Sequence, residues 1–287
     1  MASVVQMSEP DATAEVRRSW DSVADAWAQH RERVFEGFRH VSEWLVAQVD
    51  PQPGDRVLDL AAGPGETGFL AAASVGEGGR ILATDLAPGM VEAARVGAAA
   101  RELGNVECRV MDAQQMDLPD RSVDAVISRL GFMLMPDPAR AFGEVRRVLR
   151  PGGRLAYAVI GAPDRNAWMS LIVMAFVSRG HAPGGGDPFA PGGPFSLAAA
   201  DRNVELLKAS GFTKIDVHDL TGAFAFADVD DHWDFQLALA GPVSDIAASV
   251  SVEELAEVKQ ALAAAMEPHK VGSQYELPSH LLGVVAS

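Results

Sequence analysis

The sequence predicts an α/β protein: a doubly wound, Rossmann-like, mostly parallel sheet of seven strands, with an antiparallel last strand and helical cap insertions. Two observations carry that prediction. Between Arg56 and Ile160, short apolar runs alternate with helical patterns, the spacing of β-α-β units whose crossovers are right-handed. A glycine-rich turn, Gly63-Pro64-Gly65-Glu66-Thr67-Gly68, follows the first of these runs and opens the next helix. At 287 residues and 48% hydrophobic, the chain is long enough to bury the core that such a sheet needs.

Composition narrows the function. With 24 basic against 39 acidic residues the net charge is −15, and the densest basic pairs, Arg17-Arg18 and Arg146-Arg147, stand alone. Nucleic-acid binding rests on neutralising phosphates, so no nucleic-acid partner is expected. A single cysteine, Cys108, excludes a disulfide framework and a multi-cysteine metal site. Met1 to Arg18 lacks the apolar core of a signal peptide, and the longest apolar run, Ala167 to Val177, is shorter than the ~20 residues of a membrane span. The expectation is a cytoplasmic protein without an integral membrane segment, monomeric or homodimeric.

Taken in order, Met1 to Ala14 is polar and reads as loose. Apolar residues from Trp20 to Phe38 recur at helical spacing and predict one or two amphipathic helices, followed by another over Val41 to Val49. Strands are expected at Arg56–Ala61, Arg80–Asp85, Val106–Met111, Val123–Ser128 and Arg154–Ile160. Helices are expected at Glu66–Ser74, Pro88–Leu103 and Pro138–Leu149, the last stopped by Pro151-Gly152-Gly153. An apolar helix, Trp168–Val177, and a Pro/Gly-rich loop, Pro183–Pro194, interrupt the alternation. Helix Arg202–Ser210 and strand Phe212–Leu220 restore it, helices Asp231–Ala240 and Val252–Met266 are inserted, and His280–Ala286 reads as a final edge strand. The domain reading is a helical lid over 1–45 and a core over 46–287, with cap insertions at about 161–203 and 228–271.

The sharpest motif is Val57-Leu58-Asp59-Leu60-Ala61-Ala62-Gly63-Pro64-Gly65. A strand, a glycine turn and a helix N-terminus let a ligand approach backbone N–H groups. Asp85 closes the next strand twenty residues beyond Gly65, where a carboxylate accepts ribose hydroxyls. Asp112 ends the third strand within reach of an adenine amine. That arrangement serves either NAD or S-adenosylmethionine. On the residues Val57 to Gly68, Ile81 to Met90, Met111 to Leu118 and Leu149 to Gly153, the sequence resembles the class I S-adenosylmethionine-dependent methyltransferases, ubiquinone/menaquinone-biosynthesis-like small-molecule type. The resemblance spans Val41 to Ile160, and the last two strands more weakly.

The resemblance implies S-adenosyl-L-methionine as cofactor and a set of contacts: Gly63 and Gly65 under the methionine portion, Asp85 at the ribose, Leu86 and Met90 beside the adenine, and Asp112 and Ala113 at its edge. Arg129, just past the fourth strand, would border both cofactor and acceptor. One departure stands out. Such families often carry an acidic residue two before the first glycine, where this chain has Ala61; Asp59 is left to orient the loop.

The implied function is methyl transfer from S-adenosylmethionine to a small, largely apolar acceptor of phenol, quinone, polyketide or isoprenoid type, by in-line displacement. Trp27, Phe132, Met133 and Trp168 are candidates to line the acceptor pocket, and His30 and His181, with His232 beside them, are candidates for a base. The bland reading makes Trp20, Trp27, Phe35 and Phe38 a packed helix face, Cys108 a core residue, and His30, Arg31 and His40 solvated. No carboxylate or His cluster has metal-ligand spacing, so no metal is expected. The N-terminal helices and Ala162–Phe195 are expected to form a mobile cover, so that losing Met1–Phe38 spares cofactor binding more than turnover. The alternatives are an NAD-dependent oxidoreductase and a non-catalytic nucleoside-binding protein. Against the first, none of Lys208, Lys214, Lys259 and Lys270 lies four residues from Tyr157 or Tyr275, the pair a short-chain dehydrogenase uses.

Overall fold

The computed structural model describes residues 9–182 and 186–287. Helices α1 (Glu9–Ser22), α2 (Ala24–Gln29) and α3 (Arg31–Val49) lead into β1 (Arg56–Leu60), α4 (Glu66–Val75), β2 (Arg80–Asp85), α5 (Pro88–Ala100), β3 (Val106–Val110) and β4 (Val123–Arg129). A 3-10 turn (Phe132–Leu134), α6 (Pro138–Val148) and β5 (Leu149–Ile160) complete the parallel half. Then come α7 (Ala167–Ser178), α8 (Ala200–Ala209), β6 (Ile215–Phe226), α9 (Val229–Leu239), α10 (Gly241–Ser249), α11 (Val252–Met266), the short β7 (Lys270–Val271) and β8 (Gln274–Ala286).

The sheet order is β3-β2-β1-β4-β5-β8-β6, with β7 paired to β8 as an eighth strand. Strands β1 to β5 run parallel, and β8 is antiparallel to both β5 and β6. The order runs outward in opposite directions from the β1/β4 pair. The carboxyl ends of those two strands therefore flank the crevice where open α/β sheets take ligands.

Several expectations are corrected. The last strand is interior, not an edge: Leu281 and Leu282 are buried, on opposite faces, as befits a strand covered on both sides. The true edge is β6, where exposed Asp216, His218 and Asp219 break the apolar run. Strand β5 begins at Leu149, because Pro151-Gly152-Gly153 forms an irregularity within the strand rather than a gap before it. Of the loose segment Met1–Ala14, residues 1–8 lie outside the described residues, while Glu9 onward is helical. Docking orders α1: Asp21 Oδ1 accepts a hydrogen bond from Gly89 N at 2.7 Å, and Gln114 Nε2 donates to Thr13 Oγ1 at 3.4 Å. The lid boundary expected at residue 45 meets a continuous helix. It falls inside α3, which bends at Phe38 and buries Val34, Phe38, Val41, Leu45 and Val49 in the main core.

Candidate active site

The glycine turn is a run of left-handed residues. Ala61 (φ 51°), Gly63 (φ 54°) and Gly65 (φ 96°) all have positive φ between β1 and the start of α4. This resolves the departure noted above: Ala61 occupies the first glycine-type position, so the acidic residue two before it is Asp59. At Gly65 a Cβ would stand 2.6 Å from the Phe69 ring, whereas at Gly63 it would meet nothing within 4 Å. One glycine is demanded by packing; the other opens onto free space.

Two carboxylates fix the turn. Asp85, at the end of β2, accepts from Gly63 N at 2.9 Å and from Ala87 N at 3.0 Å, and burial raises its pKa against the pull of those amides. Asp59 accepts from Gly68 N through Oδ2 at 2.8 Å, while its Oδ1 is buried without a partner. Burial pushes its pKa to about 7, with the Gly68 amide and Arg129 opposing.

A third support was missed by the sequence reading, which treated Arg31 as solvated. Arg31 donates from Nε to Glu66 Oε1 at 2.6 Å and from Nη2 to the Pro64 carbonyl at 2.6 Å. Both partners lie inside the turn or at the first residue of α4, and Glu66 is 5% exposed. Gly97 of α5 makes room for this guanidinium, since a Cβ there would collide with Arg31 Nη2, but nothing in the sequence pairs the two positions. His40 is likewise not solvated: its Nε2 is buried without a partner, and its ring fills the space where Gly222 lacks a Cβ.

The remaining predicted cofactor residues border the same strand ends. Leu86 is half-buried, and Met90 is buried with Ala24 and Ala87 under Trp20, Val23 and Trp27. Asp112 Oδ1 accepts from Gln114 N at 2.8 Å, next to buried Ala113. Arg129, at the end of β4, donates to Ser42 Oγ at 3.3 Å and lies 5.5 Å from the Phe38 ring centroid. Ser42 Oγ also bonds Thr67 Oγ1 at 3.0 Å, linking α3 to α4.

The acceptor candidates separate. Trp168 is half-buried, stacks on Phe224 at 4.6 Å and meets Phe38 edge-on at 5.5 Å, so it stands near Arg129. Trp27 packs on the Met90 cluster and donates Nε1 to Leu239 O at 3.3 Å, joining α2 to the α9 cap. Phe132 and Met133 are corrected to core residues. Phe132 stacks on Phe142 at 4.4 Å with Tyr157 beside it, and the sulfur of Met133 accepts from Ile160 N, because their turn folds beneath the end of β5.

The histidines are also sorted. His30 caps the junction of α2 and α3 with its ring edge-on to Phe235 at 5.7 Å. His181 lies beyond α7, 3.7 Å from Glu254 of α11. His232 is corrected to a core residue: its Nε2 bonds the Trp168 carbonyl at 2.8 Å, and burial lowers its pKa to about 4. Among the described residues no group of three or more His, Cys, Asp and Glu could hold a metal, and no helix is long and apolar enough to cross a membrane. A cavity of about 450 Å³ opens at the amino ends of β1 and β4, among Asp50, Asp55, Asp124 and Arg150. It lies at the opposite end of the sheet from the turn, where doubly wound folds do not place their chemistry.

Residues 58–157, from β1 to the middle of β5, match the family described as "Methyltransferase domain". Over that segment the chain is similar to a methyltransferase domain. The resemblance to class I S-adenosylmethionine-dependent methyltransferases of the ubiquinone/menaquinone type therefore holds for this segment. The chain is 38% identical over 122 residues to the aklanonic acid methyltransferase DauC of Streptomyces sp. strain C5, covering 42% of this chain and 56% of that protein. It is 34% identical over 116 residues to the ubiquinone/menaquinone biosynthesis C-methyltransferase UbiE of Teredinibacter turnerae, covering 40% and 47%. The chain thus spans about half the length of these curated relatives. The crystal structure of the YcgJ protein of Bacillus subtilis shares the fold, with a TM-score of 0.57 at 18% identity, over 86% of this chain and 97% of that one.

Proposed function

We propose that this chain is an enzyme that transfers a methyl group from S-adenosyl-L-methionine to a small, largely apolar acceptor of phenol, quinone, polyketide or isoprenoid type. We propose further that it acts in the cytoplasm as a monomer or homodimer, without nucleic acid. The observation that carries the reading is the turn of Ala61, Gly63 and Gly65, left-handed at alternate residues and hydrogen-bonded to Asp85 at the end of β2. The fit to the cofactor rests on two features: the space over Gly63, which a Cβ would enter unopposed, and the unpartnered Oδ1 of Asp59 buried behind the turn. When bound, the sulfonium supplies a methyl group already activated by its positive charge.

In this reading Asp85 binds the ribose, Leu86 and Met90 flank the adenine, Asp112 and Ala113 border its edge, and Gly63 and Gly65 lie beneath the methionine portion. Asp59 and Ala61 shape the turn without supplying a reacting group. The protein aligns the acceptor and excludes water, with α1 to α3 and α7 covering the crevice. The apolar character of the acceptor is supported by the cluster of Trp168, Phe38 and Phe224 beside Arg129. His30, next to Arg31 in the sequence, and His181 are the candidate bases.

Calorimetric titration with S-adenosylmethionine, S-adenosylhomocysteine and NADH tests the cofactor. Tight binding of the first two and none of the third is expected; the reverse overturns the reading. A panel of phenols and quinones then tests turnover, which EDTA should leave intact.

A further inference from the structure

Arg129 stands at the carboxyl end of β4, beside the point where the strand order reverses. Its guanidinium carries five N–H donors, of which the structure shows one engaged, by Ser42 Oγ at 3.3 Å. It forms no ion pair among the described residues. Of the two nearby carboxylates, Glu66 is held by Arg31 and Asp59 bonds the Gly68 amide through Oδ2, and neither forms an ion pair with Arg129 among the described residues. Burial opposes the charge of Arg129, so an unpaired guanidinium here needs a reason.

The backbone around it is strained to keep it there. Leu130, the next residue, has φ 65°, a conformation that costs a non-glycine residue roughly 1–2 kcal/mol. Its N–H donates to Ala158 O at 2.8 Å, which turns the chain away from the strand and leaves Arg129 facing the crevice end. Gly131 follows without room for a side chain: a Cβ there would stand 2.7 Å from the Ala61 Cβ. One flank of Arg129 is thus the cofactor turn. The other is aromatic: its guanidinium carbon lies 5.5 Å from the Phe38 ring centroid, and Phe38 meets Trp168 and Phe224 at 5.5 and 4.9 Å.

From this juxtaposition we propose that Arg129 is the anion receptor of the acceptor site, holding a carboxylate, phenolate or enolate oxygen of a flat, otherwise apolar acceptor that lies beside Trp168. The inference rests on the methyltransferase reading and narrows its acceptor to acids. A guanidinium matches such an oxygen with charge-assisted hydrogen bonds, and an adjacent cation holds the acceptor in its ionised form. That removes the demand for a protein base, in keeping with a site whose histidines are buried, capped by Phe235 or remote.

The test compares two probes of one shape, 2-naphthoate and 2-naphthamide, titrated into the full chain with and without saturating S-adenosylhomocysteine. The wild type is expected to bind the acid at least tenfold more tightly than the amide. Arg129→Met should bring the two within about twofold, and Arg129→Lys should keep part of the preference. Because both probes are measured in each variant, a general loss of folding lowers both and cannot mimic lost discrimination. No preference in the wild type overturns the proposal without any variant. A preference that survives Arg129→Met overturns it as well, and if that variant also loses S-adenosylhomocysteine, the guanidinium serves the carboxylate of the cofactor instead. Failure of the wild type to bind S-adenosylhomocysteine sinks the methyltransferase reading, while the acid-to-amide ratio measured without it still judges Arg129.

Discussion

Gly63 and Gly65 are neighbours in one turn, yet substitution should expose different physics. At Gly65, alanine combines left-handed strain with a Cβ 2.6 Å from the Phe69 ring, a loss of about 2–4 kcal/mol. At Gly63 the strain is that already borne by Ala61, about 1 kcal/mol, and the new Cβ touches nothing. Gly63→Ala should therefore melt only a few degrees lower yet bind S-adenosylhomocysteine at least tenfold more weakly; unchanged affinity would show that the space above Gly63 is not the cofactor's. Asp59 offers a second residue-scale test. Its folded pKa of about 7 lies above the ordinary value of 3.8, so ionisation favours the unfolded chain. The stabilising contribution is complete below pH 4, is lost as pH rises to about 7, and stays lost above. Asp59→Asn, which keeps an acceptor for Gly68, should gain about 2–4 kcal/mol relative to the wild type across that window. Urea unfolding of both proteins at pH 5 and 8 measures it; a pH-independent difference would mean that Asp59 is ionised throughout.

The N-terminal helices were expected to form, with Ala162–Phe195, a mobile cover whose loss spares cofactor binding more than turnover. The structure points the other way. Asp21 of α1 binds the amide of Gly89 at the start of α5, Trp20 and Trp27 close over Met90, and Arg31 grips the Pro64 carbonyl and Glu66. These contacts fall on the cofactor side of the crevice. Removing residues 1–38 should therefore lower stability and S-adenosylhomocysteine affinity together. A gentler variant separates the two. Arg31→Met leaves Glu66 nearly buried with only Arg101 at 3.7 Å, a loss of about 2–4 kcal/mol. Adding Glu66→Gln should recover most of that stability but not the affinity, because the Pro64 carbonyl remains unheld. If the double variant regains both, Arg31 acts on folding alone. None of this was visible in the sequence, since periodicity places Arg31 on a helix but does not say which face meets the turn. The alternation from β1 to β5 was legible because each strand is an apolar run bounded by turn residues.

At the scale of the whole molecule, legibility tracked how local the signal was. The turn and Asp85 lie within one β-α-β unit and could be read from spacing, and Asp59 gained its place once Ala61 proved left-handed. The acceptor side could not be read in this way. Trp168, Phe38 and Phe224 come from α7, α3 and β6, and the lone support for their meeting is the tertiary fold. The place of β8 was missed for the same reason: sequence order puts it last, while pairing puts it between β5 and β6. That interior place has a consequence for unfolding. Strand β8, drawn from the C-terminus, is stitched between two earlier strands, and α3, from the N-terminal quarter, is buried against β4 and β5. Helix α3 and strand β8 are thereby built into one core, so a lid and a core should not melt separately. Calorimetry is expected to show a single transition for the full chain. Saturation with S-adenosylhomocysteine at about 100 times its dissociation constant adds about 2.7 kcal/mol and should raise that transition as a unit by several degrees. An early, ligand-insensitive transition would instead mark the N-terminal helices as an independent cover. It would also restore the expectation that their loss spares the cofactor.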